Sequence, residues 1–63
     1  MTKGEEIIGK FNPDSNESVD KIKQKATELV NLIEELGKDP RRKATAITDV
    51  EKAQMMAVKS LFY

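Results

Sequence analysis

The chain has no cysteine, no histidine and no tryptophan. Without cysteine there are no disulfides, and without cysteine and histidine together zinc sites and Cys- or His-based nucleophilic triads are excluded. Aromatics are limited to Phe11, Phe62 and Tyr63. No apolar run approaches the roughly 20 residues that span a bilayer, and Met1–Lys10 has no signal-peptide core. The expectation is a soluble, intracellular protein with no membrane partner. There is also no excess charge of either sign, because eleven basic residues balance eleven acidic ones. That balance argues against a coat for DNA or RNA polymers.

With 63 residues, the chain suits one short domain. Such a chain buries only about 60% of its unfolded surface, and one core of this size supplies only ~3–5 kcal/mol. Disulfides and metals are not available to make up the difference, so self-association is the expected remedy. The charge, though balanced, comes in blocks. Asp14, Glu17 and Asp20 form an acidic block, followed by basic Lys21, Lys23 and Lys25, acidic Glu28, Glu34 and Glu35, and a second basic cluster at Lys38, Arg41, Arg42 and Lys43. Two compact basic patches suit a small anionic ligand.

The pattern predicts an all-α fold. Over 1–11 a short helix is expected: Thr2 and Glu5 have capping-box spacing, and Ile7, Ile8 and Phe11 share a face. Gly4 and Gly9 should weaken it. The run 12–16, Asn-Pro-Asp-Ser-Asn, is a turn, since Pro13 biases Asn12 away from the helical region. It is not a calcium loop: Val19 stands where that loop needs Gly, and Lys25 where it needs Glu.

A long helix follows over 17–36, with Val19, Ile22, Ala26, Leu29, Ile33 and Leu36 on one face, widened by Val30. Asn16 or Ser18 can cap it, and Gly37 is placed to stop it in the left-handed C′ conformation. After the connection 37–39, a second long helix covers 40–61, with Asp39 as cap and Pro40 at its first position. So short a link makes the pair an antiparallel hairpin. On the second helix Ala44, Ile47, Val50, Gln54, Ala57 and Leu61 form one stripe, and Met55, Val58 and Phe62 form another. One hairpin cannot bury both, and the surplus is a second sign of association.

Catalysis has little to build on. The adjacent carboxylates Glu5/Glu6 and Glu34/Glu35 point in different directions from helix surfaces, and no residues assemble a nucleophile with a base. No enzyme, metal or cofactor is expected. The basic first turn of the last helix is more informative. Cations there oppose the helix dipole at a cost of roughly 0.3–1 kcal/mol, and a bound anion, met by the free N–H groups of the helix start, would reverse that penalty. Arg41 and Arg42 would supply guanidinium forks and Thr45 and Thr48 hydroxyl donors. Alternatively, this turn is solvated and pairs with acids such as Glu34 or Glu35 of a neighbour. Lys21, Lys23 and Lys25 are a second patch, and Phe11 just upstream could stack on a base while ammonium groups meet phosphate. Equally, Phe11 is a docked anchor and the lysines a solvated face.

The run Pro40-Arg41, Ala46-Ile47-Thr48, Glu51, Ala53, Met55, Ala57 and Leu61 resembles the C-terminal hairpin of the phage anti-CBASS cyclic-oligonucleotide sponges, shared with Thoeris anti-defence sponges. The resemblance is strongest over 39–61 and moderate over 19–36. It implies a short helix and a long hairpin assembled as a homohexamer. It also implies sequestration, without cleavage, of cyclic di- and trinucleotide immune messengers. For a cyclic dinucleotide it points to Phe11 for stacking and to Lys21 or Lys25. For a cyclic trinucleotide it points to Arg41 gathered from several protomers, with Thr45 or Thr48 nearby and Arg42 beside it. Phe11 lacks the hydroxyl of the tyrosine common there, and Met56 replaces a frequent tryptophan.

Two other readings remain open on sequence alone. One is an oligomeric helical adaptor or anti-repressor, and the other a small nucleic-acid binder.

Overall fold

The computed structural model describes residues 1–62. They form three helices, α1 (Lys3–Ile8), α2 (Glu17–Leu36) and α3 (Pro40–Ser60), and no strand occurs among them.

α1 is shorter than the expected 1–11. Thr2 Oγ1 accepts the Glu5 N–H at 3.2 Å while the Thr2 N–H donates to Glu5 Oε1 at 2.8 Å, a reciprocal capping box. The helix ends where Gly9 takes φ 73°, a left-handed backbone that β-carbon-bearing residues avoid. Gly4, expected only to weaken this helix, has a different role. It is buried against α2, and its N–H donates to Asn31 Oδ1 at 2.7 Å. A β-carbon at Gly4 would collide with the Thr27 carbonyl oxygen and lie 2.7 Å from Asn31 Oδ1. The glycine lets the two backbones touch.

Asn12 holds the turn that follows. Its amide donates to the Asn16 carbonyl and to Asp20 Oδ1, both at 2.8 Å, and its Oδ1 accepts the Asn16 N–H at 3.1 Å. Asn16 then caps α2, its Oδ1 accepting from Ser18 N and Val19 N. Gly37 ends α2, but not as expected. Its φ of −67° and ψ of 128° are extended, open to any residue. Glycine fits here because a β-carbon would sit 2.7 Å from the Ile33 carbonyl oxygen and 2.8 Å from Lys43 Cδ.

α2 and α3 run antiparallel. Lys43 Nζ lies 3.9 Å from Glu34 Oε1 beside the turn, and Ile22 and Ala57 share a groove at the open end. The core is Ile8, Ala26, Val30 and Ile47, flanked by Ile7, Ile33 and Val50. It sits where α1 crosses the hairpin, so the buried face of α2 is rotated toward α1 relative to the expected stripe. Val30 is fully buried, whereas Leu29 is 46% and Leu36 65% exposed. On α3, Ile47 and Gln54 are buried and Ala44 is exposed. Leu61, also expected on the packed stripe, is likewise exposed. Of the second stripe, Met55 and Phe62 are exposed, and Val58 is half-buried. Among the described residues, buried apolar side chains number only five, a small core by any standard for an independent domain.

Candidate functional site

The start of α3 is built by Asp39. Its Oδ1 accepts the backbone N–H of Arg41 at 3.0 Å and of Arg42 at 3.2 Å. Pro40 has no N–H, and the Lys43 N–H donates to the Asp39 carbonyl at 2.8 Å. Every first-turn donor is therefore taken. An anion here would meet guanidinium groups but no free helix N–H, which corrects the sequence expectation that the backbone would take part.

The three cations of this turn have separate surroundings. Lys43 reaches back to Glu34, at 3.9 Å from its carboxylate and 3.5 Å from its carbonyl oxygen. Arg42 Nη1 lies 3.7 Å from Asp39 Oδ2, both groups largely in solvent. Arg41 has no ion-pair partner among the described residues. The alternative in which this turn is neutralised by acids thus applies to Lys43 and weakly to Arg42, through acids of the same chain.

Arg41, Arg42 and Thr45 share an open depression of about 630 Å³ with Asp39, Ala46 and Asp49. Thr45 Oγ1 donates to the Arg41 carbonyl at 3.1 Å. Its hydrogen is thereby committed, and toward a ligand it offers lone pairs rather than the expected donor. Thr48 faces a different hollow, about 250 Å³, with Lys3, Ile7, Glu34 and Lys43 among its walls. The depression therefore joins Arg41, Arg42 and Thr45 and leaves Thr48 out. It adds Asp49, which sequence reasoning missed. The signal was present, since Arg42, Thr45 and Asp49 recur at spacings of three and four.

At the other end, Phe11 follows α1 and is 79% exposed, so within one protomer it is no docked anchor. Lys21 is exposed too. Lys25 Nζ lies 3.5 Å from Glu28 Oε1 in solvent and borders the α2–α3 groove. The groove between α1 and α2, about 400 Å³, is walled by Lys10, Lys23, Glu5 and Asp20 among others. The lysines that α1 meets are thus Lys10 and Lys23 rather than Lys21 and Lys25. Glu5 is held at a pKa of about 2 by hydrogen bonds from the Thr2 backbone and from Lys10. Lys10 Nζ is 3.0 Å from Glu5 Oε2.

No helix among the described residues is long and apolar enough to cross a membrane. Among them, no cluster of Asp and Glu is arranged to hold a metal ion.

A short helix docked across a long antiparallel hairpin, with a basic turn at the closed end, defines a small helical-hairpin protein. The chain belongs to the Acb2/Tad1 hairpin-domain family, whose model matches residues 1–62. This is the family of anti-CBASS and anti-Thoeris sponges, and membership implies a phage cyclic-nucleotide sponge. Comparison with curated proteins and with solved structures gives no match.

Proposed function

We propose that the protein binds cyclic di- and/or trinucleotide messengers in the bacterial cytoplasm and holds them without cleavage. Free messenger falls, and CBASS-type effectors stay inactive. The observation that carries this reading is Arg41: an exposed guanidinium with no ion-pair partner among the described residues, beside Arg42 and Thr45 on an open depression. One arginine in solvent grips a phosphate weakly. A homo-oligomer, of which a hexamer is the form expected from the family, gathers several copies around one cyclic trinucleotide. Each phosphate then meets its own guanidinium fork. Thr48 belongs to this site only if a neighbouring protomer brings its hollow alongside.

For a cyclic dinucleotide, the exposed Phe11 ring supplies a stacking surface and Lys21 or Lys25 the phosphate contact. Base–aromatic stacking of this kind is worth about 1–3 kcal/mol per base. The Phe11 side chain costs nothing to uncover, since it is already in solvent.

The test is to incubate the protein with 3′,3′-cGAMP or cyclic tri-AMP, digest the protein, and identify the nucleotide released. Intact cyclic nucleotide is the expected product. No bound nucleotide, or a linearised one, removes the sponge reading. Arg41→Ala should weaken the trinucleotide more than the dinucleotide, and Phe11→Ala the reverse; equal losses contradict two separate sites.

One observation favours a second reading, the oligomeric adaptor or anti-repressor. Leu29, Leu32 and Leu36 are all half or more in solvent, or nearly so. An adaptor keeps such a patch open after purification and binds an environment-sensitive apolar dye, whereas a closed assembly does not.

A further inference from the structure

We infer that Asp49 reads the base of the bound messenger and selects guanine over adenine. This role rests on the cyclic-nucleotide reading above and deepens it, because it gives the base a contact within one protomer.

The depression at the start of α3 is polarised along the helix. Arg41 and Arg42, at its N-terminal end, carry side-chain donors only. Thr45 and Asp49 follow toward the C-terminus, and all four residues are exposed. Thr45 Oγ1 donates its hydrogen to the Arg41 carbonyl at 3.1 Å, so both groups beyond the arginines offer a ligand acceptors. Ala46 adds a small apolar wall.

An acid has no use in a site that holds phosphate alone. Asp49 takes part in no ion pair among the described residues, so neither arginine neutralises it. It stands seven residues beyond Arg42, roughly 10 Å along the axis. Solvent-exposed charges that far apart are largely screened at physiological salt. A phosphate held by the guanidinium groups is therefore scarcely repelled, and the carboxylate stays free for another part of the same nucleotide.

That part is the base edge. A carboxylate offers two acceptor oxygens side by side and no donor. The Watson–Crick edge of guanine presents two neighbouring donors, N1–H and the N2 amine, one for each oxygen. Adenine presents one amine beside the N1 lone pair, so the second oxygen meets another acceptor. Cytosine has the same single amine beside a ring acceptor, and uracil has one N–H between two carbonyls. Guanine alone supplies the double donor. Between the arginines and Asp49, the Thr45 lone pairs suit the 2′-hydroxyl of the intervening ribose.

Calorimetric titration of the full chain with cyclic tri-AMP and with cyclic AMP-AMP-GMP is the test. The parent should bind the guanine-containing ring about tenfold tighter. In Asp49→Asn the carboxamide carries one donor and one acceptor, a pair that fits adenine, so the preference should vanish or reverse. Loss of a negative charge by itself would strengthen both rings equally and leave their ratio unchanged. The ratio therefore separates base reading from simple electrostatics. Asp49 is exposed, and circular dichroism should show the variant as helical as the parent. Guanine selection by Asp49 is overturned if the parent binds both rings equally, or if Asp49→Asn keeps the ratio of the parent. Either result, with both rings bound, leaves the sponge reading standing. Binding of neither ring removes that reading and the role of Asp49 together.

Discussion

The Asp39 carboxylate accepts the Arg41 backbone N–H at 3.0 Å, so the residue that starts α3 also positions the arginine proposed to meet phosphate. The same carboxylate removes the backbone donors that an anion would otherwise use. Recognition at this turn is left to side chains, and Arg41 is the one without an ion-pair partner among the described residues.

Asp39→Ala removes a cap whose loss typically costs about 1 kcal/mol. The thermal midpoint should fall by several degrees, and circular dichroism reads it. If Asp39 were only a cap, trinucleotide affinity at a temperature where the variant is fully folded would be unchanged. Its carboxylate also opposes an anion in the depression, so affinity should instead rise, as read by calorimetric titration.

Gly4→Ala tests the contact between α1 and α2. Alanine is the better helix former by ~1 kcal/mol, so a free α1 would gain stability. In place, its β-carbon strikes the Thr27 carbonyl, and overpacking of that kind costs typically about 1–3 kcal/mol. The expected result is net destabilisation, with faster hydrogen exchange along Lys3–Ile8 than in the parent.

Acid should loosen α1. Hydrogen bonds from the Thr2 backbone and Lys10 hold Glu5 at a pKa of about 2 in the folded chain, below its ordinary value of 4.5. A depressed folded pKa means the contribution is fully present above the unfolded value and is lost as pH falls from there toward about 2. Glu5→Gln should lower stability at neutral pH and flatten its dependence on pH over that window. An unchanged slope would mean that the capping box does not form in solution.

Gln54 is buried in the α2–α3 groove, and its Oε1 has no hydrogen-bond partner. An unsatisfied buried acceptor costs about 1–3 kcal/mol, and an apolar side chain of similar shape avoids that cost. Gln54→Leu should therefore raise the denaturation midpoint in urea. A decrease would show that the amide finds a donor in the assembled protein.

Much of the hairpin was legible in the sequence because local rules agree there. Asn16 and Asp39 are strong caps, Pro40 is pre-set for a first turn, and a three-residue link leaves the helices one way to fold. The rotation of α2 was not legible. Periodicity places Leu29 and Leu36 on the same stripe as Ala26 and Ile33, and only the docking of α1 decides which edge of that stripe is buried. The short contact at Gly4 is what sets that docking, and a glycine within a helix looks from sequence alone like a weakness. At the candidate site, the basic turn was visible as a cluster of like charge. The separate fates of Lys43, Arg42 and Arg41 depend on where Glu34 and Asp39 fall in space. Gly37 stops α2 where its position in the sequence suggests, but its backbone is extended, and the glycine makes room for the Ile33 carbonyl and the Lys43 side chain rather than for a left-handed turn.

The central claim is that single weak phosphate contacts become a tight grip by repetition around a symmetry axis. Native mass spectrometry of the full chain saturated with cyclic tri-AMP tests this most directly. The account predicts an assembly with an even number of chains, fewer intact nucleotides than chains, and loss of those nucleotides in Arg41→Ala without loss of the assembly. A monomer carrying one nucleotide, or an Arg41→Ala assembly that binds as the parent does, would contradict it.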